Sequence, residues 1–305
     1  MNMIKNFADI IVEAQKYKSI KVIVSVAQDE SVLRGIALAK KLGLLEAIFV
    51  GDKEKIIDII ESNGFDLKDE EIIPETDKMQ ACYKAIELAR SGKAEAIMKG
   101  GIDNQMFLGT ALDKRGGLRT GKFVCSICLL EDLKNNRILY LSDPAMNISP
   151  NLQEKAEIIK SAVEFVKIMG ISRPKVAVIS AIELVSPNMP STIDAACLSK
   201  MADRGQIKDA IVDGPFALDT LFSSQAAKKK GVKSPLAGEV DIILAPNIET
   251  ANAIYKMWTH FIEYNAIGIS WGAKVQLIHL PRESSPEDKL VGIATTVLML
   301  RKGNN

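Results

Sequence analysis

The chain has 305 residues, 47% hydrophobic and 25% charged, with a formal net charge of +1. This is the balance of a soluble globular protein with room for two domains, and it excludes an overall electrostatic pull toward nucleic acid or an anionic membrane surface. No apolar run approaches the roughly 20 residues of a membrane span, so no membrane partner is expected.

Met1 to Tyr17 mixes Asp9, Glu13 and Lys16 into its apolar positions. It reads as an amphipathic helix and not a signal peptide, which makes the cytoplasm the expected compartment. Strand and helix patterns then alternate. Ile20 to Ala27 is a continuous apolar strand and Asp29 to Leu42 a helix. Glu46 to Val50 and Lys53 to Ser62 form the next such pair, followed by Glu71 to Ile73 and Thr76 to Arg90. Glu95 to Lys99 is a strand that stops in Gly100-Gly101, and Asn104 to Lys114 is a helix. Unbroken apolar strands in this rhythm predict an α/β fold with a mostly parallel sheet covered on both faces.

The rhythm changes after Arg115. Two adjacent strands, Phe123 to Leu130 and Arg137 to Ser142, flank a turn at Asp132 to Asn136 and predict a hairpin. A long helix follows, Leu152 to Met169. Then come strand Lys175 to Ala181, helix Thr192 to Ala202, strand Ala210 to Val212, helical segments to Lys230, strand Val240 to Ala245 and helix Glu249 to Tyr264. The last strand, Val275 to Leu280, leads into an amphipathic run, Leu290 to Leu300. A hairpin inside a βα series predicts two α/β domains. Residues 1–119 and 273–305 are expected to form domain I, and 120–272 an inserted domain II, with a ligand cleft between them.

The cysteines are Cys82, Cys125, Cys128 and Cys197. Cys125 and Cys128 form a C-x-x-C within a strand, where alternation puts them on opposite faces. Buried thiols are expected, with no disulfide framework and no metal site, since His260 and His279 lie at no helpful spacing. Gly116 to Lys122 has P-loop-like spacing, but Phe123 stands where a magnesium-binding hydroxyl is needed and the strand follows the loop. It can still bind an anion, because Arg119 and Lys122 flank small residues. No dinucleotide fingerprint, serine-hydrolase motif or zincin pattern is present.

What remains is a set of loops assigned to strand ends, where open α/β sheets bind ligands. They are Lys99-Gly100-Gly101, Ser142 to Asn147, Asp213-Gly214-Pro215 with Asp219, Ser234-Pro235-Leu236-Ala237-Gly238, and Pro246-Asn247. The final strand-to-helix turn holds Arg282 and Asp288. Ser285 fits its N-cap, Pro286 the first helical position and Asp288 the third, which makes a capping box.

On these loops the sequence resembles the phosphate acetyltransferase and phosphate butyryltransferase family, most closely the butyryl branch. The most specific stretches are Leu118 to Gly121, Leu141 to Lys155, Asp194 to Asp219, Ser234 to Gly238 and Pro246 to Lys256. The resemblance implies two α/β domains of isocitrate-dehydrogenase-like fold, with domain II forming the interface of a homodimer or higher homo-oligomer. It implies reversible transfer of a short-chain, butyryl-like acyl group between coenzyme A and inorganic phosphate by direct attack in the cleft. Coenzyme A and phosphate are then substrates, and no cofactor is used. Arg282 would hold phosphate, and Asp288 would be the base toward the thiol. Lys99, Gly100, Arg119, Thr120, Asp213, Ser234, Pro235, Gly238, Asn247 and Asn252 would bind substrate.

Three positions depart from the family pattern. Pro281 stands where a serine is usual and has neither hydroxyl nor N–H. Gly109 follows Phe107-Leu108 where an arginine is usual. Ala251 replaces a glycine expected beside the cleft. Asp288 also has a purely structural explanation as a cap, because a helix N-terminus favours an ionised carboxylate without any catalytic need. The alternatives are a CoA-binding relative with another acceptor or acyl group, and a non-catalytic dimeric subunit.

Overall fold

The computed structural model describes residues 3–281 and 283–303, which form two compact units. Unit I comprises 7–122 and 267–303, and unit II comprises 3–6 and 123–266. No helix among the described residues is long and apolar enough to cross a membrane.

Unit I begins with α1 (Phe7–Ala14), β1 (Ile20–Ser25), α2 (Glu30–Lys41), β2 (Leu45–Gly51), α3 (Lys53–Asn63), β3 (Glu71–Pro74), α4 (Lys78–Arg90), β4 (Ala96–Lys99) and α5 (Asn104–Ala111). Aspartates start four of these helices. Asp29, Asp52, Asp77 and Asp103 each accept a backbone N–H from the first turn of α2, α3, α4 and α5, satisfying a donor that the helix cannot use itself.

Unit II holds β5 (Cys125–Asp132), β6 (Arg137–Ser142), α6 (Leu152–Ile168), β7 (Lys175–Ile179), α7 (Pro190–Asp203), β8 (Ile211–Phe216), α8 (Leu218–Phe222), α9 (Ser224–Lys229), β9 (Ile242–Leu244) and α10 (Ile248–His260). The chain returns to unit I along β10 (Ala266–Trp271), then forms β11 (Gln276–Ile278) and α11 (Pro286–Lys302). The first sheet has the order β11-β4-β1-β2-β3 and is parallel throughout. The second has the order β10-β5-β6-β9-β7-β8. Its β5–β6 hairpin is antiparallel, while β6, β9, β7 and β8 pair in parallel. The mostly parallel α/β architecture and the hairpin inside the series are as predicted.

Four local expectations change. Asp213-Gly214-Pro215 is not a loop after a strand but lies within β8. Proline lacks the ladder N–H, and β8 is an edge strand with a register shift against β7, which is where a proline fits. The final helix is not amphipathic: every residue from Lys289 to Met299 is buried, so α11 is covered on all sides. β10 has no counterpart in the sequence assignment, whereas α8 and α9 are the helical segments assigned up to Lys230. The C-x-x-C thiols are free and buried in β5, and only Cys128 belongs to the core under α10. Burial pushes both thiols well up from the ordinary range, which suits inert core residues. Cys197 is only half-buried, contrary to the expectation for all four.

Candidate active site

In unit I the loops after β1, β4 and β11 leave three neighbouring strands at the same edge of a parallel sheet. They lead into α2, α5 and α11, so helix N-termini with their unused N–H groups follow each strand. Gly100 makes the first two loops fit together. A Cβ there would lie 2.3 Å from the Val26 carbonyl oxygen and 2.6 Å from that of Ser25. Gly100 and Gly101 instead donate their N–H groups to those two carbonyls at 2.8 Å each. Only glycine permits the approach.

Ser25 is the register partner of Lys99, and His279 directly follows Ile278, the partner of Met98. Ser25, Lys99 and His279 thus form a polar row across β1, β4 and β11, and all three are buried. Lys99 Nζ donates to the Ile102 carbonyl at 3.2 Å. The Ser25 hydroxyl and His279 Nε2 have no hydrogen-bond partner among the described residues. Burial, reinforced by the nearby Lys99 ammonium, pushes the imidazole down to about 4, so His279 is neutral near neutral pH.

The turn into α11 is the capping box that the spacing predicts. Asp288 N–H donates to Ser285 Oγ at 3.0 Å, and Ser285 N–H donates to Asp288 Oδ2 at 3.0 Å. The other carboxylate oxygen, Oδ1, has no hydrogen bond among the described residues. The cap therefore occupies half of the carboxylate and leaves half for other chemistry. Arg282 lies outside the described residues.

Arg119 and Thr120 are exposed and tied to the backbone. Arg119 Nε donates to the Leu112 carbonyl at 2.6 Å, and Thr120 Oγ1 to that of Gly272 at 2.9 Å. Gly109 is exposed on α5, and a Cβ added there would meet nothing within 4 Å. The helix has room for the arginine that the sequence lacks.

Unit II holds the other predicted binding residues in two groups. In the first, Asn247 caps α10, accepting from Thr250 N–H at 3.0 Å, and Asn252 Nδ2 donates to the Pro144 carbonyl at 3.2 Å. The loop after β6 is organised by buried Asp143, which accepts from the N–H groups of Ser126, Ala145 and Met146 and from Asn147 Nδ2. Burial outweighs these bonds and pushes the Asp143 carboxyl up. In the second group Ser234 Oγ donates to Asp213 Oδ2 at 2.6 Å. Pro235 is exposed beside it, and Gly238 takes a φ of +82° that favours glycine. Asp213 sits inside β8, so its carboxylate orders the 234–238 loop. Ala251 does not stand at a ligand surface: it is fully buried among Ile254, Trp258 and other core residues.

Sequence reasoning did not single out His279, Ser25, Asp143 or Lys289 as site residues. Asp143 had a signal, since Asp-Pro follows a strand end, but the other three lie in no motif.

A model of the family described as "Phosphate acetyl/butaryl transferase" matches residues 68–297. Among curated proteins, the phosphate butyryltransferase of Clostridium acetobutylicum is 44% identical over 297 residues, covering 97% of this chain and 99% of that one. The phosphate acetyltransferase of Thermotoga maritima is 39% identical over 292 residues, with 96% and 99% covered. Among solved structures, a branched-chain phosphotransacylase from Enterococcus faecalis V583 superposes with a TM-score of 0.78 at 26% identity, covering 92% of this chain and 99% of that one. A family match over most of the chain, near full-length identity and a shared fold agree, and the chain belongs to the phosphate acetyltransferase and butyryltransferase family.

Proposed function

We propose that the protein transfers a short-chain, butyryl-like acyl group reversibly between coenzyme A and inorganic phosphate. The observation that carries this reading is the 44% identity to a phosphate butyryltransferase across 97% of the chain. In the proposed chemistry the CoA thiolate attacks the carbonyl carbon of an acyl phosphate, a carbon–sulfur bond forms, and phosphate leaves with the electrons of the carbon–oxygen bond. The reverse step has phosphate attack the thioester. Arg282 is the proposed phosphate ligand. Asp288 is the proposed acceptor of the thiol proton, through the oxygen that its cap leaves open. Lys99, Gly100, Arg119 and Thr120 in unit I, and Asp213, Ser234, Pro235, Gly238, Asn247 and Asn252 in unit II, are proposed to bind or shape the substrate sites. The substrates supply all the reacting groups, so the reading invokes no cofactor.

The proposed compartment is the cytoplasm, where free thiols such as these four cysteines persist. The proposed assembly is a homodimer. An apolar cluster on unit II supports it: Met257, Phe261 and Ile262 are exposed at the end of α10, with exposed Phe222 packed against Trp258.

The test is CoA release from acetyl-, propionyl-, butyryl- and branched acyl-CoA with and without phosphate. Phosphate-dependent release, strongest with a butyryl-like chain, is expected. No phosphate-dependent turnover of any of them would sink the proposal. Pro281 and Gly109 favour a second reading, a relative with a changed acceptor. Under it, acyl-CoA binds calorimetrically without phosphate coupling, and Gly109→Arg with Pro281→Ser creates the phosphate reaction.

A further inference from the structure

Lys289 is buried to 3% exposure at the start of α11, yet it takes no part in the chemistry proposed above. Its Nζ donates to Ser31 Oγ at 2.8 Å and to the Ser284 carbonyl oxygen. Ser31 Oγ in turn donates to the same carbonyl at 3.3 Å. The three groups close a triangle between the first turn of α2 and the residue just before the α11 cap.

Gly35 makes the triangle reachable. A Cβ there would stand 2.8 Å from Lys289 Cβ and 3.2 Å from the Pro286 carbonyl oxygen. With no side chain at 35, α2 and α11 approach closely and the Lys289 stem runs along α2 to Ser31.

This placement is electrostatically adverse. Two helix N-termini meet the ammonium, and their dipole ends carry partial positive charge. Asp29, Asp288 and Glu283 offset this, but burial remains the larger influence and holds the amine below its ordinary range. An unbranched methionine would fill the same space without desolvating a charge. The lysine therefore makes more sense as a constraint on the turn than as a contribution to fold stability.

We propose that Lys289 is a positioning residue for acyl transfer: its ammonium clamps the 283–288 turn to α2 and so fixes the geometry from which Asp288 acts. The proposal rests on the reading of this turn as the catalytic segment.

The experiment compares wild type, Lys289→Met, Lys289→Arg and Ser31→Ala by amide hydrogen exchange, phosphate KM, kcat and melting temperature. Ser31 and Ser284 are half-buried, so water can satisfy them once the ammonium is gone. In Lys289→Met the amides of 283–288 are expected to exchange at least about tenfold faster. The kcat should fall by about tenfold or more, with Tm unchanged or higher, because small displacements of a catalytic group cost large factors. Lys289→Arg should restore part of the protection and part of the kcat. Unchanged exchange, or a kcat within about twofold of wild type, overturns the clamp. So does a Tm lower by more than about 5 °C with kcat unchanged, which assigns the lysine to fold stability. If Lys289→Met does not fold, Ser31→Ala decides in the same terms, since it removes one acceptor and keeps the charge. Wild-type protein inactive with every acyl-CoA defeats the acyl-transfer reading instead, and exchange at 283–288 still decides the clamp.

Discussion

His279 carries an unpartnered buried nitrogen in the candidate site of unit I. Its imidazole is 4% exposed, Nε2 has no partner among the described residues, and the Lys99 ammonium is close. The folded group takes up a proton only near pH 4, whereas in the unfolded chain it does so near 6.5. Above pH 6.5 both states are neutral and the residue contributes nothing to pH dependence. Between 6.5 and 4 the unfolded chain binds the proton first, so stability falls as pH falls, by about 3 kcal/mol in all, and levels off below. Urea melts across that window should show His279→Leu losing less stability than wild type by about this amount. Equal losses in the two proteins would falsify the burial account. At this scale the sequence was legible where chemistry is local. Ser285, Pro286 and Asp288 could be assigned from spacing because a capping box is a property of four consecutive residues. His279 and Lys289 could not, because their significance comes from strands and helices distant in sequence. His279 meets Lys99 through sheet register, and Lys289 meets Ser31 through a helix contact.

Among the elements, α11 depends most on its neighbours. A helix buried on all sides cannot be told from an amphipathic one by counting apolar positions when threonine, glycine and lysine fill its other faces. Thr295 and Thr296 hide their hydroxyls by donating to the Val291 and Gly292 carbonyls one turn back, and Lys289 hides its charge in the α2 contact. For the same reason Gly35→Ala is expected to destabilise, although alanine is the better helix former. Its methyl would collide with Lys289 Cβ and the Pro286 carbonyl, and overpacking of this kind costs about 1–3 kcal/mol. Gly109→Ala on α5, where the Cβ meets open space, should instead stabilise by about 1 kcal/mol. Thermal melts of the two variants should move in opposite directions, and a shift of the same sign in both would refute the contrast. Strands were legible by type because parallel strands buried on both faces are unbroken apolar runs. β8 was cut short after Val212 because its last four residues, Asp213 to Phe216, contain a glycine and a proline that normally end a strand. Gly214 is there because a Cβ would lie 2.6 Å from the Val178 carbonyl oxygen, which is a constraint from the neighbouring strand.

At the scale of the whole molecule, the proposed assembly makes a direct prediction. Phe261 is 86% exposed, next to exposed Ile262 and near Met257. Phe261→Glu should shift the protein to half its mass in light scattering while its far-ultraviolet circular dichroism stays unchanged. A wild-type protein already monomeric at micromolar concentration would remove the basis for the dimer. The order of the chain has another consequence. Unit I is assembled from 7–122 and 267–303, with all of unit II but residues 3–6 lying between. During synthesis the first four strands of its sheet emerge long before β11 and α11. At roughly 5–20 residues per second, the ribosome needs about 10–40 s to supply the missing parts. Until then β4 is an open sheet edge, and α2 lacks the helix that covers it. Unit II can close first although unit I starts first, so the newborn chain passes through a period in which its earliest-made half is the one that needs a chaperone.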